Sequence, residues 1–375
     1  MSQNHKEQFT PRRAGSESGT AFFFRIAFSL LAVTGFLWVV CALFFASEWW
    51  IADKFAAFSV FGSVLFVVAS IASLIFSSRL LALPLIFCAA ILWWTAYDAP
   101  RAQWSGKSGF EPGSVVIRVV TYNALASNTS IEEIYAHLSE IDADVVTILE
   151  APHDLITMIR DRGGVPEKFE YWDAAEPGHW WNVVRLSRWP LSWTEVPRDD
   201  TFRERRGNFS YRRSLVVLHP EQPFLLTAVF PDSPRSRERW ERGNAELRLF
   251  GQIINDCFRS SGLPIVVCSD LNAAPGGYRT RLLTETSGLR RTKPWWTPAG
   301  SWPSALPALF RVPIDDVLVS SGIVVRDWKV LGWAAGSDHA PVLVELALPR
   351  AEIEVPDEWL AGGRAPDRHL GADRR

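Results

Sequence analysis

Three apolar stretches near the N-terminus, residues 26–46, 55–76 and 80–97, constrain this chain more than any other feature. Each is close to the roughly 20 residues that cross a hydrocarbon core of about 30 Å, and charge is nearly absent inside them. They are apolar all round, whereas helices at the surface of a soluble core carry a single apolar stripe. A cleaved signal peptide would not be followed by two further segments of this kind. We therefore expect a three-span transmembrane anchor over residues 21–97, preceded by a polar, disordered tail at 1–20 and docked in a lipid bilayer.

Short-loop charge sets the expected orientation. Lys6, Arg12, Arg13 and Arg25 flank the first span and Arg79 lies between the second and third, while the loop at 47–54 carries Glu48 and Asp53 against Lys54. Positive charge collects on the cytoplasmic side, so the N-terminus is expected there and everything after Tyr97 across the inner (plasma) membrane, in the periplasm or outside the cell. Among the 18 tryptophans, Trp49, Trp50, Trp93, Trp94 and Trp104 fall where a membrane boundary is expected.

Residues 98–114, rich in Pro, Gly and Ser, read as a linker. Beyond them short apolar runs alternate with amphipathic stretches, an α/β pattern that continues to residue 349, and residues 350–375 read as a disordered tail. Strands are expected at 115–122, 145–149, 182–186, 214–218, 225–230, 265–269, 317–320 and 342–348. A long amphipathic helix is expected at 237–258, and another after Ser130, which with Glu133 has the spacing of a capping box. The four cysteines, Cys41, Cys88, Cys257 and Cys268, show no zinc spacing and no disulfide framework; Cys257 and Cys268 read as buried. A net charge of −2 gives no overall basic field for nucleic acid, and nothing points to a protein partner.

Polar residues recur where these strands begin or end. Asn123 follows the first strand and Glu150 the second. Asp270 and Asn272 flank Leu271 after a later one, Asp315 opens another, and Asp338-His339 stands just before the last. Each alone also fits an ordinary turn or a solvated strand end. Together they supply what metal-assisted phosphoryl transfer requires: oxygen ligands for a hard cation, amides to hold a phosphate, and a base.

The ordered set Thr121-Tyr122-Asn123, Asp144-Val145-Val146 through Leu149-Glu150, Leu186-Ser187-Arg188-Trp189-Pro190, Ser269-Asp270-Leu271-Asn272-Ala273, Ile314-Asp315 and Ser337-Asp338-His339-Ala340-Pro341-Val342 resembles the endonuclease/exonuclease/phosphatase superfamily. The resemblance covers about residues 115–348. It implies a four-layer α/β sandwich, two packed mixed β-sheets flanked by helices, with the site at one end of the sheets. It also implies Mg²⁺ or Mn²⁺ held by Glu150 and Asp338, with Asn123 beside Glu150 contacting phosphate. Asp270 and Asn272 would orient the nucleophile and contact phosphate, and Asp315 would orient the essential His339. Many relatives have Gly at Ser269 and His at Asp316. At Phe230, where many carry a histidine or tyrosine near the leaving group, this chain has no proton donor; Asp232, Arg235 or His179 are the alternatives.

The resulting expectation is a membrane-anchored phosphodiesterase acting on a lipid head group or on nucleic acid. The alternative is a membrane-tethered binding or scaffold protein that keeps the fold with weak or no turnover.

Overall fold

The computed structural model describes residues 19–76, 79–107, 109, 113–165, 167–174, 182–194 and 214–350. Of the tails expected at 1–20 and 350–375, residues 1–18 and 351–375 lie outside them, while Gly19 and Thr20 already belong to the first helix. Three helices are long and apolar enough to cross a membrane: Phe22–Phe45, Ser59–Phe76 and Arg79–Tyr97. The first comprises α1 (Gly19–Val40) and a wider turn, Cys41–Phe45. The second span does not start at residue 55, as the apolar run suggested. Residues of the supposed loop instead form a separate short helix, α2 (Trp50–Ala57), which breaks at Phe58 before α3 (Ser59–Phe76) begins. Asp53 and Lys54 cannot enter hydrocarbon cheaply, which keeps α2 out of the second span. The third span is α4 (Arg79–Tyr97). Hydroxyls inside the bundle are satisfied by neighbouring helices, Ser63 Oγ donating to the Ala89 carbonyl at 2.8 Å and Ser70 Oγ to that of Ala82 at 3.0 Å.

The remaining elements are β1 (Gln103–Trp104), β2 (Val115–Asn123), α5 (Ile131–Glu140), β3 (Val145–Leu149), α6 (His153–Arg162), β4 (Tyr171–Ala174), β5 (Val184–Ser187), β6 (Leu191–Thr194), β7 (Ser214–Val217) and β8 (Phe224–Val229). They continue with α7 (Arg237–Ile253), β9 (Ile265–Asp270), α8 (Tyr278–Ser287), β10 (Arg290–Arg291), β11 (Asp315–Val319), β12 (Val324–Val330) and β13 (Val342–Leu348). They make two mixed sheets, in the orders β1-β12-β13-β2-β3-β5-β4 and β10-β11-β9-β8-β7-β6.

Strand residues alternate between two buried environments. In β2, Val115, Ile117 and Val119 enter the core between the sheets, where Phe224, Leu226, Val266, Cys268, Val317 and Val344 meet them. Val120 and Tyr122 point the other way, into the layer that Ile134, Leu138, Leu155 and Ile159 of α5 and α6 provide. The second sheet is covered on its outer face by Leu247 and Phe250 of α7 and Leu283 of α8. Burial on both faces explains why these strands read as near-continuous apolar runs. The result is the four-layer sandwich.

Three local expectations are corrected. Part of the supposed linker belongs to the first sheet, where Gln103 and Trp104 pair in parallel with Val324 and Val325. Trp104 accordingly packs against the inter-sheet core and against Trp296, 5.0 Å between ring centroids, rather than lying at a bilayer boundary. The capping box is not formed either. Ser130 makes no side-chain cap, and its backbone N–H is taken by Asn128 Oδ1 at 2.9 Å. Asn128 also donates to the carbonyls of Ala124 and Ala335, so the start of α5 is tied to the loop before His339. In that loop Gly336 adopts φ +81°, and a Cβ there would lie 2.6 Å from Asn128 Oδ1 and Ser130 Oγ, which only glycine avoids. Cys268 is free and buried between the sheets; the Cys257 side chain lies outside the description.

Candidate active site

Strand direction gathers the polar residues. The parallel strands β2 and β3 end at Asn123 and just before Glu150, while antiparallel β13 begins opposite them, Val342 beside Thr121. In the second sheet β9 ends at Asp270, directly opposite Asp315 where antiparallel β11 starts. Ends of parallel strands and starts of antiparallel ones thus meet at one edge of the sandwich, and the residues spread over the sequence converge there.

They form a connected set. Asn123 Nδ2 donates to Glu150 Oε1 and to Asp270 Oδ2, each at 2.9 Å, bridging the two sheets. Asp270 Oδ1 accepts the Asn272 backbone N–H at 2.8 Å, and Asn272 Nδ2 donates to the Pro231 carbonyl at 3.1 Å. His339 Nδ1 is 2.8 Å from Asp315 Oδ2, and its Nε2 is 3.9 Å from both Asp270 Oδ2 and Asp338 Oδ1. Ser337 Oγ accepts the His339 N–H and donates to the Asn123 carbonyl, fixing the histidine loop to the end of β2. Glu150 and Asn272 have φ of +47° and +49°, a left-handed conformation uncommon for glutamate and one that concentrates at functional sites. Asp338 is the outlying member: it is exposed, and its carboxylate accepts from Trp302 Nε1 at 2.9 Å.

Burial and crowding of charge set the protonation states. Burial pushes the Asp270 carboxyl well above the usual carboxylate range, and Asp315 opposite adds to the rise. Burial alone would depress the His339 imidazole, but Asp315, Asp270 and Asp338 outweigh it and push it up to about 10. His339 is therefore an imidazolium at neutral pH, and Nδ1–H···Asp315 leaves Nε2–H as the free donor.

Asn123, Glu150, Asp270, Asn272, Asp338 and His339 line a cavity of about 1070 Å³, with Asp315 behind His339. Phe230 lies in its wall, packed against Leu149, Val183 and Ala228, so the position that lacks a proton donor does face the site. Of the alternatives, Asp232 is ion-paired with Arg242, Arg235 lines the cavity, and His179 is outside the described residues. Several lining residues were not expected, among them Trp302, Asn182, Arg239 and Lys54. Trp302 and Asn182 have no sequence signal, since each acquires its place only from loop closure. Lys54 comes from the anchor.

The anchor reaches the site through α2. The buried Asp53 carboxylate accepts Trp240 Nε1 at 2.7 Å and the Tyr278 backbone N–H at 2.6 Å; burial raises its carboxyl, and these bonds with Arg279 nearby oppose the rise. The loop Pro275-Gly276-Gly277 presses on the anchor so closely that a Cβ on Gly276 would lie 2.5 Å from the Ala56 carbonyl oxygen and 3.1 Å from Ala96 Cα. Arg279, itself buried, donates to the carbonyls of Asp232 and Leu271 and links this contact to the loops that carry Asp232 and Asn272.

The donor set suits a hard cation. Asp270 and Asp315 bring carboxylate oxygens to within 4.8 Å of each other and of a His339 ring nitrogen, Glu150 and Asp338 add carboxylates on the same cavity, and the only cation among these five is His339, which as an imidazolium offsets their charge and is not itself a ligand. Asp315 Oδ1 is buried without a hydrogen-bond partner. A surplus of carboxylate oxygens in a part-buried cleft is the environment in which a divalent ion is favourable.

A family model described as the endonuclease/exonuclease/phosphatase family matches residues 120–339. No curated protein matches the chain. Similar solved structures include an endonuclease/exonuclease/phosphatase family protein from Bacteroides thetaiotaomicron, 13% identical with a TM-score of 0.49, the match covering 64% of this chain and 98% of that one. The human Nocturnin catalytic domain with bound sulfate is 15% identical, TM-score 0.44, covering 63% and 98%. A mannosyl-6-phosphatase from Bacteroides thetaiotaomicron is 14% identical, TM-score 0.45, covering 61% and 99%.

Proposed function

The chain belongs to the endonuclease/exonuclease/phosphatase family, and from that premise we propose a membrane-anchored, divalent-metal-dependent phosphodiesterase whose nucleophile is water. The observation that carries the reading is the continuous array Asp315–His339–Asp270–Asn123–Glu150 at one cavity. Asp270, made more basic by burial, takes a proton from the attacking water as its oxygen bonds to phosphorus. Asn272 holds that carboxylate through its backbone N–H and its side-chain amide, and the Asn123 amide ties it to Glu150; to contact a phosphoryl oxygen either amide would exchange one of these bonds for the substrate. His339, kept cationic by Asp315, donates Nε2–H to the charge that develops on the phosphoryl group. The bond to the leaving oxygen breaks, and that oxygen takes its proton from solvent, because Phe230 offers none. Mg²⁺ or Mn²⁺, held by Glu150 and Asp338, would supply Lewis-acid polarisation of the phosphoryl oxygens.

The anchor favours a lipid head group over nucleic acid as substrate, and the net charge of −2 points the same way. The basic flank of the first span favours an inner-membrane protein with residues 98–375 outside the cytoplasm. Contact between α2 and the catalytic domain supports the three-span count, since it requires the loop after span 1 and the domain after span 3 to share a side.

The test is release of product from a generic aryl phosphodiester by the purified chain with Mg²⁺ or Mn²⁺, abolished by EDTA. Glu150→Gln keeps the size and removes the charge, so it should weaken metal binding in calorimetry and cut turnover by orders of magnitude. Equal affinity and turnover would make Glu150 structural. Reporter fusions at the N-terminus and at Gly106 test the orientation, and a cytoplasmic signal at Gly106 would overturn it.

A further inference from the structure

The active-site cavity is lined by groups of both signs. The carboxylates are Glu150, Asp270 and Asp338 at the strand ends, with Asp232 and Glu246; the cations include Lys54 from the anchor, Arg235 just before α7 and Arg239 in its first turn. Arg242 on the same helix is neutralised by Asp232 and Glu238. Lys54, Arg235 and Arg239 form no ion pair with any described residue; Lys54 rests over the Trp50 ring, 4.2 Å from its centroid. Exposed cations without partners are ordinary on a surface. Here they come from two segments far apart in sequence and converge on one cavity, and Lys54 is held there by the interlock next to it: Asp53 is buried against Trp240 and Tyr278, and Gly276 leaves no room for α2 to move closer or for a side chain to intervene.

Lys54 also stands five residues before the start of the second candidate span, Ser59. Ala57 and Phe61, the latter in the first turn of the second span, pack with Trp302, Val312, Ile314 and Ala274, and Trp302 in turn holds Asp338. The cavity, which Ala57 and the exposed Phe58 also line, therefore lies within about a helical turn of the start of the second candidate span.

We infer that Lys54, with Arg235 and Arg239, forms a second anion subsite, and that the substrate is a lipid of the same bilayer whose head group carries a further phosphate besides the scissile one. The substrate class rests on the phosphodiesterase reading above; the subsite itself does not. Cations that share a cavity with a phosphoryl site pair with a second phosphate by charge-assisted hydrogen bonds, and the nearness of the candidate span selects a lipid over a soluble ester.

Two measurements on the full chain test this. In detergent with EDTA, where nothing turns over, inorganic pyrophosphate is titrated calorimetrically into wild type, Lys54→Met and Lys54→Arg. The expectation is binding weakened about tenfold by the methionine and kept within about twofold by the arginine, the size of effect of one charge-assisted contact. No binding by wild type, equal binding by Lys54→Met, or equal loss in both variants overturns the subsite. In vesicles with Mg²⁺, Lys54→Met should raise KM about tenfold for a phosphodiester lipid bearing an extra phosphomonoester, with kcat unchanged, and leave an aryl phosphodiester untouched. Equal use of the water-soluble head group overturns the lipid source. Pyrophosphate binding that follows Lys54 in a chain that hydrolyses nothing overturns the phosphodiesterase reading and leaves the subsite standing.

Discussion

Asp315 and Asp316 are consecutive, fully buried, and each 2.8 Å from a basic group, yet they serve opposite ends. Alternation along β11 turns the two side chains to opposite faces, Asp315 toward His339 and Asp316 toward Arg291 and Thr292. There Asp316 Oδ2 accepts Arg291 Nε, and Oδ1 accepts the Thr292 hydroxyl at 2.9 Å and the Val317 N–H at 3.0 Å. Both oxygens are satisfied by a partner that never changes charge. Asp315 has one oxygen on a titratable imidazole and the other without a partner. A saturated ion pair holds structure, whereas a half-satisfied one leaves capacity for a reacting group. It follows that Asp316 does not stand in for Asp315, and that Asp316 belongs to the packing of β10 on β11.

The largest break in that comparison is His339→Ala, expected to lower kcat by about 10²–10⁴-fold with little change in melting temperature; a loss of folding without the rate effect would place His339 with the structural pair. Next is Arg291→Met, which strands Asp316 as a buried charge and should cost about 3–5 kcal/mol in chemical denaturation while folded protein keeps its turnover. Retained stability with lost activity would invert the assignment. Asp315→Asn comes third: His339 stays but is poorly oriented and less basic, so a fall of about 10–100-fold, milder than His339→Ala, is expected in kcat. Full activity would remove Asp315 from its positioning role.

A smaller effect is read by pH. The His339 pKa is raised from about 6.5 in the unfolded chain to about 10 in the fold. The pairing therefore stabilises the metal-free protein fully below the unfolded value and is lost as pH rises through the folded one. NMR of the imidazole should show no titration between pH 6 and 8, and Asp315→Asn should move the midpoint down. The smallest expected change belongs to Phe230→His, which should flatten the dependence of rate on leaving-group pKa; similar wild-type rates on alkyl and aryl esters would reveal another donor, sought first at Asp232, Arg235 and His179.

Strand positions were legible because apolar runs buried on both faces leave an unmistakable trace, and β3 and β13 have the bounds expected of them. Strand β12 was not, since Arg326, Asp327 and Lys329 interrupt its pattern on a partly exposed face. Helices α6 and α8 were missed because their polar faces, among them His153, Asp154, Arg279 and Arg281, dilute the period. Site residues were legible as polar punctuation at strand ends, and their order along the chain carried the family resemblance.

The sequence by itself determined the membrane segments, the alternation of strands and helices, and which polar groups stand at strand ends, because these depend on local hydrophobicity and spacing. It placed Asp53 and Lys54 in an unremarkable acidic loop. Only the tertiary structure decided that this loop is a helix docked on the catalytic domain, that Asp53 is buried against Trp240, and that Lys54 reaches the cavity. Those contacts join residues 187 and 225 positions apart, and no local pattern encodes a partner at that distance. The same holds for Asp315 and Asp316, identical side chains told apart only by the strand face that packing fixed.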